Sequence, residues 1–392
     1  MQNNLNNLSV LTGSIENISN AAPLPPFSNE VISFLNDLSK RLMAEKEYSD
    51  IVTFAFWIRQ ASLMIEKNKY DDLNTRLGRG IIFHIAPSNV AINFAFSLVA
   101  GLLAGNANIV RLPSKDFQQV NILVNIINEL INNSYKYLYP YICMVKYPIN
   151  KNISDELSKN CNIRVIWGGD KTIANLRLSP IKPRAYEITF ADRYSAAVIN
   201  ADLYLKEENK QKISQNFYND TYLSDQNACT SPRILFWIGN DISKAKKVFW
   251  NNINSLVTDK YQLSAVQAVG KLSALYKAAA NIDVCSCELN NNYITRLELD
   301  DLSDNIMDYK YNSGFFFEYN ISKLDEIIAI CDEKFQTLTY YGLTKDEIEC
   351  FLKEKKPHGI DRVVPIGSSM DFSLVWDGHD LIREMSRKYY II

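Results

Sequence analysis

Apolar residues at Val31, Phe34, Leu35, Leu38 and Leu42 recur every three or four positions and predict a helix that begins near Asn29. The same period predicts a second amphipathic helix over about 49–66. After the turn-forming Gly78-Arg79-Gly80 the pattern changes. Short apolar runs over 81–86, 107–111, 142–147 and 163–167 read as strands, and helical periods over 91–104, 117–132 and 155–160 separate them. Two further β runs, 186–190 and 195–199, close this stretch. Largely apolar strands that alternate with helices imply a parallel sheet covered on both faces, and the leading expectation is a doubly wound, nucleotide-binding domain over 28–200.

A second α/β unit is expected over 201–365. It contains a helix over 203–218, a polar loop around Cys229, a strand over 234–238 and helices over about 242–257 and 262–280. Strands over 314–319 and 337–341, with a helix between them, repeat the alternation. Residues 1–27 are polar, Asn-rich and end in Pro23-Leu24-Pro25-Pro26, which reads as a loosely attached arm. Residues 366–392 are expected to pack back on the body.

Composition narrows the function classes. With 392 residues and 47% apolar content, the chain can bury a large core in two or three domains. Its 42 basic and 44 acidic residues are well mixed and give a net charge of -2, so nucleic acid is not an expected partner. Seven cysteines, an odd number without CxxC spacing, argue for reduced thiols in a cytoplasmic protein over a disulfide framework. The three histidines, His84, His358 and His379, do not pair at ligand spacing, so no metal is expected. The first residues do not read as a signal peptide. The longest apolar run, 90–104, carries Asn93 and falls short of the roughly 20 residues of a membrane span, which makes it a buried helix.

Two segments carry candidate chemistry. Cys229, in Asp225-Gln226-Asn227-Ala228-Cys229-Thr230-Ser231-Pro232-Arg233, follows a polar loop and precedes a proline, a setting that exposes a thiol at a loop-to-strand junction. A small buried hydrophobe is the plain alternative for any cysteine. Asn89 follows Pro87-Ser88 at the carboxyl end of a predicted strand, where open α/β sheets bind ligands; its amide suits an oxyanion, and equally the capping of the next helix. Arg233 is either a source of positive potential or a surface ion-pair partner. His84, inside an apolar β run, reads as a satisfied strand histidine.

Together with Gly101-Leu-Leu-Ala-Gly-Asn106-Ala-Asn-Ile-Val-Arg111-Leu-Pro-Ser114, Trp167-Gly168-Gly169-Asp170, Arg362-Val-Val-Pro-Ile-Gly367 and Trp376-Asp377-Gly378, these motifs occur in the order that resembles the aldehyde dehydrogenase superfamily. Within it the chain is similar to the fatty acyl-CoA reductases of the bacterial luminescence systems. The resemblance implies an aldehyde-dehydrogenase-like α/β fold, with a Rossmann-like cofactor domain and a second α/β catalytic domain. It further implies NADPH-dependent reduction of a fatty acyl thioester to its aldehyde, with Cys229 as nucleophile and Asn89 as oxyanion donor. Arg111 matches a position that contacts the adenosine ribose, and a guanidinium there favours NADPH over NADH because it can grip a 2'-phosphate. Ser114 closes the same motif. Gly168 and Gly169 match a turn beside the cofactor phosphates, although an ordinary strand-to-helix turn would use the same residues. Glu318 matches an acidic residue at the nicotinamide ribose.

One departure stands out. Where hydrolytic members carry Glu-Leu-Gly-Gly, this chain reads Tyr186-Glu187-Ile188-Thr189-Phe190. Glu187 is kept as a candidate proton relay or a plain strand residue, and the two glycines are replaced by bulk. The expected thioester donor is acyl-CoA or an acyl-protein, with an acyl-activating enzyme as a candidate partner, and the superfamily's dimers and tetramers imply a homo-oligomer. The alternatives are CoA-acylating oxidation of an aldehyde, a non-redox cysteine acyltransferase, and a non-catalytic partner subunit.

Overall fold

The protein is described by a computed structural model over residues 7–87 and 90–392. It divides into two compact units, Met1–Ala191 with Phe372–Ile392, and Asp192–Asp371. Among the described residues no helix is long and apolar enough to cross a membrane.

The first unit is built on a six-stranded sheet. Its strands are β1 (Ser9–Thr12), β2 (Ile81–Ile85), β3 (Ala107–Arg111), β4 (Ile142–Lys146), β5 (Ile163–Trp167) and β6 (Tyr186–Phe190), in the order β1-β4-β3-β2-β5-β6. All neighbours are parallel except β1 and β4. From β2 onward this is the doubly wound order, with the chain reversing direction across the sheet between β2 and β5. The inner strands are buried on both faces because helices cover both: β5 is buried at every position. Helix α1 (Asn29–Leu42) supplies one covering stripe from Val31, Phe34, Leu35, Leu38 and Leu42, all buried.

The run expected as one helix over 49–66 is two, α2 (Ser49–Trp57) and α3 (Gln60–Lys67), because Arg59 adopts an extended conformation between them. Its guanidinium then lies 3.4 Å over the Phe56 ring. Helices α4 (Asn93–Leu103), α5 (Gln118–Asn132), α6 (Lys151–Asn160) and α7 (Asp170–Arg177) complete the alternation.

The N-terminal segment differs from the expected loose arm. Strand β1 pairs with β4, Phe27 is 1% exposed, and Leu24 exchanges backbone hydrogen bonds with Gly105 and Gly78, each of 2.9 Å. Gly105 is required there: its φ is +87°, and a Cβ would stand 2.0 Å from the Leu24 carbonyl oxygen. The C-terminal segment divides at residue 371. Phe372–Ile392 belongs to the first unit, where Ser386–Lys388 pairs with Arg76–Gly78.

The second unit holds a seven-stranded sheet. Its strands are β7 (Tyr194–Asn200), β8 (Pro232–Ile238), β9 (Val284–Asn291), β10 (Ile294–Leu299), β11 (Phe315–Ile321), β12 (Phe335–Tyr341) and β13 (Arg362–Pro365), in the order β9-β10-β11-β8-β7-β12-β13. Only β9 and β10 pair antiparallel. The β run at 195–199, expected to close the first domain, instead lies in the middle of this sheet between β8 and β12. Its apolar character suits either sheet, and only the pairing decides membership. The helix expected over 203–218 is interrupted into α8 (Ala201–Lys206) and α9 (Lys210–Thr221). Helices α10 (Ile242–Lys260), α11 (Ala265–Ala279) and α12 (Lys345–Lys355) follow, and the expected helix between β11 and β12 is a 3-10 segment, Leu324–Ile330.

Candidate active site

In the second unit Cys229 stands three residues before β8, at the amino edge of the parallel strands. It is of intermediate exposure, whereas Thr230 and Ser231 behind it are buried. The loop that presents it is held from several directions. Asp225 and Gln226 both adopt positive φ, 51° and 58°, which costs energy in a non-glycine residue and needs compensating contacts. Gln226 provides them. Its fully buried side chain donates to the carbonyls of Pro232 and Phe315 at 2.9 and 3.1 Å and accepts from the amides of Gly314 and Phe315 at 3.0 and 3.2 Å. The Asp225 carbonyl accepts from the Ser313 amide at 3.0 Å, and its carboxylate from the Tyr261 hydroxyl at 2.7 Å. Asn312 donates to the Asn227 side chain. The Ser195 hydroxyl donates to the carbonyl of Cys229 itself at 2.7 Å.

Arg233 lies beneath this loop, not at the surface. It is 6% exposed and donates to the Tyr311 carbonyl at 2.7 Å and to the Asn312 side chain at 2.8 Å. Burial pulls its ordinary value down to about 10 against the opposing attraction of Asp192 and of the Cys229 thiolate. On the other side, the Thr230 hydroxyl donates to the Met370 sulfur at 3.4 Å. Sequence reading did not single out Gln226, Ser195 or Met370. The only local signal was the polar run before Cys229.

In the first unit the carboxyl ends of β3 and β5 flank that of β2, and four of the expected cofactor residues lie at or just beyond them. Arg111 ends β3; its guanidinium stacks 4.5 Å from the Tyr147 ring centre and donates to the Tyr147 carbonyl at 3.4 Å. Ser114 is exposed just beyond. Gly168 and Gly169 follow β5, and Gly169 is the N-cap of α7 with no side-chain cap. A Cβ on Gly169 would meet nothing within 4 Å, so the turn faces open space. Asn89, after β2, lies outside the described residues.

His84 is a core residue, as its apolar run suggested. Its Nδ1 and Nε2 lie 2.7 Å from Ser97 Oγ and 2.9 Å from Asn108 Oδ1. Because Asn108 Oδ1 can only accept, the proton sits on Nε2. Burial lowers the ring's pKa to about 4.

The two candidate carboxylates have other partners. Glu187, on β6, accepts from Arg164 Nε and Nη2 at 2.8 and 2.6 Å on one oxygen and from Arg177 Nε at 2.8 Å on the other. Glu318, on β11, is corrected from a ribose contact to a core group. It is 1% exposed, with both indole N–H groups of Trp237 and Trp250 on one oxygen at 2.8 Å and Arg296 on the other at 3.1 Å. A carboxylate so enclosed presents no face to a cofactor.

The fold is similar to that of aldehyde dehydrogenases of known structure. A lactaldehyde dehydrogenase structure superposes with a TM-score of 0.63 at 14% identity, covering 89% of this chain and 81% of that one. An NAD-dependent benzaldehyde dehydrogenase from Corynebacterium glutamicum gives 0.60 at 12% identity over 93% and 85% of the two chains. At the sequence level, a long-chain acyl-protein thioester reductase of Vibrio harveyi is 22% identical over 408 residues, covering 92% of this chain and 81% of the relative. A second such reductase, from Aliivibrio fischeri, is 22% identical over 167 residues, 42% of this chain and 33% of that protein. The family model for acyl-CoA reductase (LuxC) matches residues 15–264, a span that holds the doubly wound sheet, both glycines after β5 and the Cys229 loop together. The chain therefore belongs to the acyl-CoA reductase (LuxC) family, oxidoreductases that act on acyl thioesters, and carries the aldehyde dehydrogenase fold.

Proposed function

We propose that the chain reduces a long-chain acyl thioester to the free aldehyde through an acyl-cysteine on Cys229, with NADPH as the preferred reductant. The observation that carries the reading is the Cys229 loop. Its backbone is locked by Gln226 and Ser195 and a buried arginine lies beneath it, the preparation a nucleophile needs and a packing cysteine does not.

The Cys229 sulfur forms a bond to the thioester carbon, and the carbonyl π pair moves to oxygen. Asn89 and the Cys229 backbone N–H are the proposed donors to that oxyanion. Collapse breaks the carbon–sulfur bond of the substrate, and the leaving thiolate carries its electron pair away. A reduced nicotinamide held at the Gly168-Gly169 turn would supply the hydride that the acyl carbon needs to reach the aldehyde level. The oxygen of the resulting thiohemiacetal alkoxide re-forms the carbonyl, and the carbon–sulfur bond breaks with its pair going to the Cys229 thiolate, giving aldehyde and free enzyme.

The Gly168-Gly169 turn suits the dinucleotide's phosphates: the turn is open, and the first amides of α7 have no side-chain cap. Arg111 is the proposed contact for the 2'-phosphate. The donor is a long-chain acyl group on a protein or on CoA; the similarity to long-chain acyl-protein thioester reductases supports the former.

The test is oxidation of NADPH and NADH with acyl-CoAs of increasing length and, in parallel, with an acyl-protein thioester, the aldehyde being trapped and identified. Aldehyde formation supports the reductase, and the better donor identifies the carrier. Release of the carrier thiol without NADPH consumption would replace it with an acyltransferase. Loss of both reactions in Cys229→Ala is required by the reading.

A further inference from the structure

Glu187 presents a puzzle that the Tyr186-Glu187-Ile188-Thr189-Phe190 run raises and the proposed chemistry leaves unused. A carboxylate that relays protons needs a vacant oxygen lone pair pointed at the reacting group. Both oxygens of Glu187 already accept charged hydrogen bonds, from Arg164 on β5 and Arg177 in the last turn of α7. Arg164 extends the connection. Its Nη1 also donates to the Ser179 carbonyl at 2.8 Å, just past the end of α7, and to Ser158 Oγ at 3.2 Å on α6. One carboxylate thus gathers the strand before the Gly168-Gly169 turn, the helix after it and the connection beyond.

The geometry points to a positioning role: we propose that Glu187, by holding Arg164 and Arg177, fixes the far end of α7 and so the direction in which the Gly168-Gly169 turn meets the dinucleotide phosphates. This rests on the reading of that turn as the cofactor site. Helix α7 has eight residues and is about 12 Å long at 1.5 Å per residue, so Glu187 acts at the end remote from the turn. A short helix gripped only through its first turn could swing about it. The charge-assisted bond of Arg177 in the last turn, with that of Arg164 to the Ser179 carbonyl just beyond it, removes that freedom. The bulk that replaces the two glycines serves the same end: Phe190 stacks on Trp167, the residue before the turn, at 3.7 Å between ring centres, and the Phe190 carbonyl accepts from the Gly168 amide at 3.1 Å.

The experiment compares wild type with Arg177→Gln, Glu187→Gln and the double variant. Arg177 is 60% exposed, so its replacement leaves the fold intact even if Glu187→Gln does not. Two quantities are read: the dissociation constant of NADPH by titration of protein fluorescence, and the rate of thiol release from acyl-CoA in a single turnover without dinucleotide. Arg177→Gln and Glu187→Gln are each expected to weaken NADPH binding about tenfold, the scale on which a misdirected binding group is felt. The double variant should be no worse than Glu187→Gln alone, since that substitution already removes the anion that Arg177 grips. Thiol release should stay at the wild-type rate in all three. Unchanged NADPH affinity in Arg177→Gln, with wild type binding normally, would overturn the positioning role. Slowed thiol release with unchanged affinity in Glu187→Gln would return the carboxylate to proton relay. Failure of wild type itself to bind NADPH would instead remove the cofactor reading beneath the proposal.

Discussion

The Ser195 hydroxyl donates a 2.7 Å hydrogen bond to the carbonyl oxygen of Cys229, and its own oxygen accepts from the Thr337 amide at 3.2 Å. Through one fully buried hydroxyl the Cys229 peptide is tied to two neighbouring strands, β7 and β12. The carbonyl so fixed leaves the peptide plane, and with it the thiol, little room to turn.

Ser195→Ala should therefore cost activity as well as stability. Leaving a buried carbonyl and amide without their partner is expected to lower stability by about 1–3 kcal/mol. Acylation should slow by about tenfold, because the sulfur no longer meets the thioester at a fixed angle. Urea unfolding reads the first effect and single-turnover thiol release the second. A stability loss with unchanged acylation would mean that the bond serves the sheet alone.

Much of this was legible from the chain because the inner strands of a parallel sheet must be apolar on both faces. The runs 107–111 and 163–167 coincide with β3 and β5 to the residue. The antiparallel pair β9 and β10 was not legible. Val284–Asn291 is an edge strand with Cys285 and Cys287 exposed, so it lacks the apolar run that marks the inner strands. The site divided in the same way. The loop before Cys229 was legible as a polar run ahead of a strand, but the role of Gln226 depends on contacts with residues 314 and 315, which no local pattern reveals. Glu318 misled for the converse reason: its place in the order matched a ribose contact, while its burial depends on Trp237, Trp250 and Arg296.

Glu318→Gln separates those two roles. Removing the charge leaves Arg296, 6% exposed, with one fewer anion, and stability should fall by about 3 kcal/mol or more. The dissociation constant for NADPH, measured on folded protein at low temperature, should be unchanged. A raised constant without loss of stability would restore the ribose contact.

Arg111→Gln tests coenzyme choice. If the guanidinium grips the 2'-phosphate, kcat/KM with NADPH should fall by about tenfold to a hundredfold, the worth of a charge-assisted hydrogen bond. The value with NADH should change little. An equal fall with both would mean that Arg111 supports the sheet edge through Tyr147, on whose ring it stacks.

Acid stability should show two opposed titrations. His84 has an ordinary pKa of 6.5, lowered to about 4 in the fold by burial. Between those values the unfolded chain binds a proton that the folded one refuses, so stability is lost as pH falls from about 6.5 to 4. Asp220 runs the other way. Burial raises its carboxyl from 3.8 to about 6, against the donors of Gly367 and Ser369. Here the folded state keeps a proton that the unfolded chain releases, so stability is gained as pH falls from about 6 to 3.8. Each effect amounts to ~3 kcal/mol at most, and in wild type they largely cancel over this window. His84→Gln should therefore become more stable on acidification from pH 6.5 to 4, relative to its own value at neutral pH, and Asp220→Asn should become less so. Urea unfolding at half-unit intervals of pH reads both slopes. Parallel slopes in the two variants would mean that neither group titrates between its two values as its burial requires.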